Sequence, residues 1–102
     1  MNTRPAPMAL KELQEALKEL PGWTLQEARI GKEFRFEDFA TAFGFMAHIA
    51  LVAERMDHHP EWANVFNRVS IALTTHDAEG VTLLDLELAA AIEEIAGRLG
   101  KS

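Results

Sequence analysis

Pro60 constrains this chain more than any other single residue. Its ring offers no N–H to a helix and pushes the preceding His59 out of the helical region of backbone space. A helix arriving from the N-terminal side must therefore end within Asp57-His58-His59-Pro60, and a new element must begin after it. The hydrophobic pattern changes at the same place. From about Asp38 to Met56 apolar residues recur at helical spacing, with Phe39, Phe43, Met46, Ile49, Ala50 and Ala53 able to face a core. From Trp62 to Thr75 they follow a strand-like run, Val65, Val69, Ile71 and Leu73 being separated by Ser70, Ala72 and Thr74. Asn67 and Arg68 offer a point at which that run divides into two pairing strands.

The flanking segments follow the same logic. Leu10, Leu13, Leu17 and Leu20 form the apolar stripe of a first helix, stopped by Pro21 and Gly22. Trp23 and Leu25, then Phe34 and Phe36, alternate with polar residues on either side of a turn expected near Arg29 to Gly31, which reads as an antiparallel hairpin with one wet face. His76 to Gly80 has turn chemistry. Thr82 and Asp85 then give a capping-box pattern ahead of a stripe of Leu84, Leu88, Ala91, Ile95 and Leu99, with Gly100 ending the third helix. The order is helix, two strands, helix, one or two strands, helix. Hairpins with helices between them predict a single α+β domain, an antiparallel sheet with helices on one face.

At 102 residues the chain is long enough for one hydrophobic core without covalent or metal staples. The formal charge of −6 argues against a nonspecific grip on nucleic acid. No apolar run approaches a membrane span, and Met1 to Pro7 carries two prolines and no signal-peptide core, so a cytoplasmic protein with a loose N-terminal tail is expected. The second helix is apolar on nearly every face, since Phe45, Leu51 and Val52 remain off the chosen stripe. A small monomer has few ways to cover such a helix, which predicts self-association. With no cysteine, chemistry falls to His, Asp, Glu and hydroxyl groups.

Three of the four histidines, His58, His59 and His76, bracket one strand segment, with Glu54 and Asp85 as candidate acids. Imidazoles titrate near neutral pH, and a neighbouring carboxylate orients a ring and fixes its tautomer, so the set suits proton transfer. Plainer readings stand beside this one. Asp85 could simply cap its helix, Glu54 could solvate a helix end, Trp23 and Trp62 could be core aromatics, and the lone His48 reads as a polar-face or interface residue. His58, His59, His76 and an acid could also form a metal's ligand set, but adjacent histidines lack the spacing that usually puts two imidazoles on one ion.

Taken together, Glu54, His58-His59-Pro60, an aromatic at Phe66, His76 and Asp85 resemble the signature of the pterin-4a-carbinolamine dehydratases. The likeness extends to HHPEW, Asn64 to Asn67, the run into TTH, the Gly80, Thr82 and Asp85 helix entry, and the Gly22-Trp23 pair. It implies a four-stranded antiparallel sheet carrying three helices on one face, assembled as a homodimer or homotetramer. It implies dehydration of 4a-hydroxytetrahydropterin to quinonoid dihydropterin, the recycling step after aromatic amino acid hydroxylation, with neither metal nor cofactor. His58, His59 and His76 would then be the catalytic and pterin-binding histidines, accompanied by Glu54 and Asp85, with Pro60, Trp62 and Phe66 as binding or supporting residues. The aromatic position is commonly Tyr or Trp in the family; Phe66 removes a polar donor and reads as a packing change. Two other functions fit the resemblance: a non-enzymatic dimerisation or binding module, as some relatives partner a homeodomain transcription factor, and a pterin enzyme linked to molybdenum-cofactor metabolism.

Overall fold

A computed structural model of the protein describes residues 5–100. Of the expected loose N-terminal tail, residues 1–4 lie outside the described residues, and Met8 just beyond it donates its N–H to the carbonyl of Val81 at 2.9 Å. The elements are α1 (Leu10–Leu17), β1 (Thr24–Gln26), β2 (Arg29–Arg35), α2 (Phe39–Met56), β3 (Glu61–Val65), β4 (Arg68–Leu73), a 3-10 turn (His76–Ala78) and α3 (Leu83–Arg98). The strands form one antiparallel sheet in the order β1-β2-β4-β3.

Alternation decides which face of the sheet is dry. Ile30 and Phe34 of β2 and Val69, Ile71 and Leu73 of β4 point to one side, where they join Leu13 of α1, Phe45 and Ile49 of α2, and Leu88, Ile92 and Ile95 of α3 in one core. Phe45 sits at its centre, its ring 5.0 Å from Phe34 and 4.7 Å from Phe36. The opposite face carries Gly31, Glu33, Ser70 and Ala72, and no helix among the described residues packs on it. The architecture is the expected α+β layer, a four-stranded sheet with three helices on one face.

Three local expectations are corrected. On α2 the buried stripe is Ala42, Phe45, Ile49 and Ala53, whereas Phe39, Phe43, Ala50 and Leu51 are exposed. Phe45 therefore takes the inward position assigned to Phe43: both rows have helical spacing, and only the fit to Phe34 and Phe36 separates them. The first hairpin turns at Glu27 and Ala28, with Glu27 at φ 55°, and Arg29 to Gly31 lie within β2. Gly31 serves close approach instead of a turn, since a Cβ there would stand 3.1 Å from the carbonyl oxygen of Ile71. Finally, α1 ends at Leu17, and Lys18, Glu19 and Leu20 tighten into a turn through bonds to the carbonyls three residues back.

Two helix termini are closed by specific bonds. The end of α2 is set by Asp57, which adopts the left-handed conformation at φ 53°. Its N–H donates to Glu54 O at 3.1 Å while the N–H of His58 donates to Ala53 O at 3.0 Å, the paired bonds of a Schellman motif. Pro60 comes only after the helix has already closed. At the start of α3 the capping box is formed: Thr82 Oγ1 accepts from the N–H of Leu84 at 3.2 Å, and Asp85 accepts from the N–H of Thr82 at 2.9 Å. No helix among the described residues is long and apolar enough to cross a membrane.

Candidate functional site

The end of α2 and the start of α3 deliver their side chains to one cleft. The Schellman motif fixes His58 directly after the last turn of α2, and β4 runs on into Thr74 and Thr75 beside it. Thr75 and Gly80 then exchange backbone hydrogen bonds of 2.9 and 3.3 Å, which pinches the intervening 3-10 turn into a loop headed by His76. Asp57, His58, His59, Thr74, Thr75, His76 and Asp77 line the resulting cleft of about 210 Å³. All three histidines marked in the sequence are brought together, although His76 lies far from the other two along the chain.

Each imidazole presents its Nε2 to a different carboxylate. His58 Nε2 lies 2.6 Å from Asp85 Oδ1, in a pair that is 6% and 0% exposed. His59 Nε2 is hydrogen-bonded to Glu54 Oε1 at 3.1 Å, at the surface. His76 Nε2 approaches Glu61 Oε2 at 3.0 Å, also at the surface. With every Nε2 occupied in this way, no three His, Asp or Glu side chains among the described residues converge as a ligand set for a metal ion.

The His58 pair is embedded in a wider network. Asp85 Oδ2 accepts from Thr75 Oγ1 at 2.8 Å and from the N–H of Thr82 at 2.9 Å, leaving Oδ1 for the imidazole. Because the single Thr75 proton is committed to Asp85, the Thr82 hydroxyl must donate to Thr75 Oγ1, 2.8 Å away. Every buried side-chain polar atom among the described residues has a partner. Asp85 therefore caps α3 with one oxygen and meets the His58 imidazole with the other, so the helix cap and the imidazole contact are made by the same group.

Glu61 was not marked in the sequence as a site residue, nor was Arg29. Arg29 donates from Nε to Glu61 Oε1 at 2.7 Å and from Nη2 to Oε2 at 3.2 Å. These bonds hold the Glu61 carboxyl below the usual glutamate range; desolvation opposes the shift and His76 adds to it. The available signal was strand parity, which puts Glu61 and Arg29 on the same open face. It was hidden by assigning Arg29 to a turn. Thr75 and Thr82 were missed as members of the His58 network because their part depends on the pairing of Thr75 with Gly80.

The remaining expected residues fall outside the cleft lining. Glu54 stands behind His59, and Pro60 sets the start of β3. Trp62 is half-buried against the core, and Trp23 is buried with its Nε1 donating to Glu93 at 2.8 Å. His48 is exposed on α2. Phe66 occupies the far hairpin tip, five residues from Glu61 along the chain and hence roughly 16 Å at strand rise. It is 64% exposed and adopts φ 52°, with its carbonyl accepting from Asn64 Nδ2 at 3.1 Å.

Comparison with known proteins matches this geometry to one family. The family model described as Pterin 4 alpha carbinolamine dehydratase matches residues 6–95. A protein of Rhodopseudomonas palustris (strain BisB18), provisionally named pterin-4-alpha-carbinolamine dehydratase, is 57% identical over 86 residues, spanning 82% of this chain and 85% of its own. A similarly named protein of Brucella ovis is 52% identical over 88 residues, spanning 84% of this chain and 91% of its own. Among solved structures, a transcriptional coactivator/pterin dehydratase from Brucella melitensis superposes with a TM-score of 0.88 at 48% identity, covering 89% of this chain and 99% of that one. A pterin dehydratase-like protein identified as a RuBisCO assembly factor in the alpha-carboxysome shares the fold, with a TM-score of 0.62 at 21% identity over 74% of this chain and 87% of that one. By its residues and its fold, the chain belongs to the pterin-4-alpha-carbinolamine dehydratase family.

Proposed function

We propose that the protein dehydrates 4a-hydroxytetrahydropterin to quinonoid dihydropterin and water, in the recycling of a tetrahydrobiopterin-type cofactor. The observation that carries this reading is the meeting of His58, His59 and His76 in one cleft, each backed by its own carboxylate. The reaction removes a proton from the ring nitrogen beside carbon 4a, and a second proton joins the departing hydroxyl as water. Carbon and nitrogen gain a double bond, and one base and one acid suffice. In this reading His58 and His76 exchange the protons and His59 holds the pterin ring. Asp85 keeps the His58 ring in one orientation, so Nδ1 is the nitrogen left for chemistry. Glu54 stands in the same relation to His59, and Pro60 and Trp62 support the strand that follows the histidine pair, whereas Phe66, at the far hairpin tip, takes no part in this cleft.

Stopped-flow absorbance with freshly generated 4a-carbinolamine tests the proposal. The expected result is dehydration well above the buffer rate. A rate no greater than buffer overturns it and leaves a binding module as the reading of the same fold.

We also propose that the protein self-associates through α2, as a homodimer or homotetramer. Phe39, Phe43 and Leu51 are exposed there, and the first two rings lie 6.0 Å apart as a contiguous apolar surface. Size-exclusion chromatography with light scattering is expected to give a multiple of the chain mass, reduced by Phe43→Glu. A monomer at micromolar concentration overturns this assignment.

A further inference from the structure

Glu61 and Arg29 stand on the open face of the sheet, on strands that are not neighbours: β4 lies between β2 and β3. An Arg29–Glu61 bridge must therefore cross two interstrand spacings, roughly 10 Å. The intervening row is clear because the aligned residues are small. Gly31, Ala72 and Glu61 form one cross-strand row, and the hollow beside it is lined by Gln26, Glu27, Arg29, Gly31 and Ala72. The guanidinium reaches across this hollow and grips both oxygens of Glu61. A carboxylate held at two points by a planar fork has little freedom to swing. Its Oε2 is the atom 3.0 Å from His76 Nε2.

His76 needs such a partner more than the other cleft histidines do. It is 73% exposed, heads a one-turn loop, and lacks the buried network that restrains His58. The other charged or titratable groups lining the cleft are Asp57, His58, His59 and Asp77. Glu61, at its edge, is itself clamped by an arginine from another strand.

We propose that Glu61, clamped by Arg29 across Ala72, is a positioning residue for His76: it holds the imidazole at the cleft mouth with Nε2 toward the carboxylate and Nδ1 toward the ligand. The catalytic meaning of this arrangement rests on the dehydratase reading, whereas the positional claim does not.

The test separates the two. Ring NMR of protein labelled at histidine follows all three cleft imidazoles in one sample without substrate. In Glu61→Gln, Arg29→Met and Ala72→Phe, the His76 ring shifts and relaxation are expected to move toward those of a free surface histidine while His58 is unchanged. Ala72→Phe is informative because it blocks the crossing without removing either charged group. Unchanged His76 signals in all three variants overturn the proposal. If the dehydratase reading also holds, the same variants lose about tenfold in kcat with little change in KM, as expected for misplacement of a reacting group. A released His76 with unaltered kcat would strip the clamp of its catalytic role. An inactive parent protein would sink the dehydratase reading and leave the NMR result to decide the positioning.

Discussion

The inner and outer walls of the cleft use the same pair of groups, an imidazole and a carboxylate, in opposite surroundings. Inside, Asp85 is fully buried beneath His58, which is 6% exposed at the cleft, and Asp85 has further bonds to Thr75 and Thr82. Outside, His59 with Glu54 and His76 with Glu61 stand largely in solvent, where an ion pair is worth little on its own. The inner pair is fixed because breaking it strands several polar groups in a dry interior. The outer pairs are held only as firmly as their second partners allow. The difference suggests a division of labour: a rigid inner reference point, and an outer rim that admits and adjusts to a ligand.

The largest expected effect tests whether the inner pair is structural. Asp85→Ala leaves His58, Thr75 and the N–H of Thr82 without their acceptor, and is expected to destabilise the fold by about 3–5 kcal/mol in urea titrations. Glu54→Ala, its outer counterpart, should leave the unfolding midpoint where it was. Equal effects for the two would erase the contrast between the walls. Next in size are the kinetic effects. His58→Ala and His76→Ala are expected to lower kcat for carbinolamine dehydration by about 10²–10⁴-fold, the usual worth of a positioned acid or base. His59→Ala should act mainly on KM, and full activity in the His58 and His76 variants would refute their roles.

The outer wall has its own pH signature. Because Arg29 holds the Glu61 carboxyl below its ordinary range, the pair's stabilising contribution is present above the unfolded-state value and is lost as pH falls through the depressed one. Arg29→Met should move the Glu61 carboxyl titration upward, followed by carbon-13 NMR. No movement would detach Arg29 from the rim. The smallest effect lies outside the cleft. Phe66→Gly relieves a left-handed backbone at an exposed tip and should stabilise by about 1 kcal/mol, a rise of several degrees in Tm. Unchanged dehydration in this variant keeps Phe66 out of the site. A fall in kcat would bring it into play, through an adjoining subunit's cleft.

Much of this was legible from residue order. Period changes at Pro60, the capping pattern at Thr82 and Asp85, and the interruption near Asn67 located the elements, and the histidine spacing identified the cleft. What stayed hidden depended on contacts between distant segments. Phe43 and Phe45 are both candidates for the inward face of α2 until Phe34 and Phe36 are in place. Gly31 looks like a turn residue until Ile71 is found against it. Glu61 and Arg29 look like unremarkable surface charges until β4 is known to separate their strands.

The double duty of Asp85 has an evolutionary consequence. A relative without the activity proposed here but with the same shape would still use an acid at this position to cap its last helix, so the presence of that acid says little about whether a relative is active. Glu54 and Glu61, which the scaffold can spare, are the better witnesses.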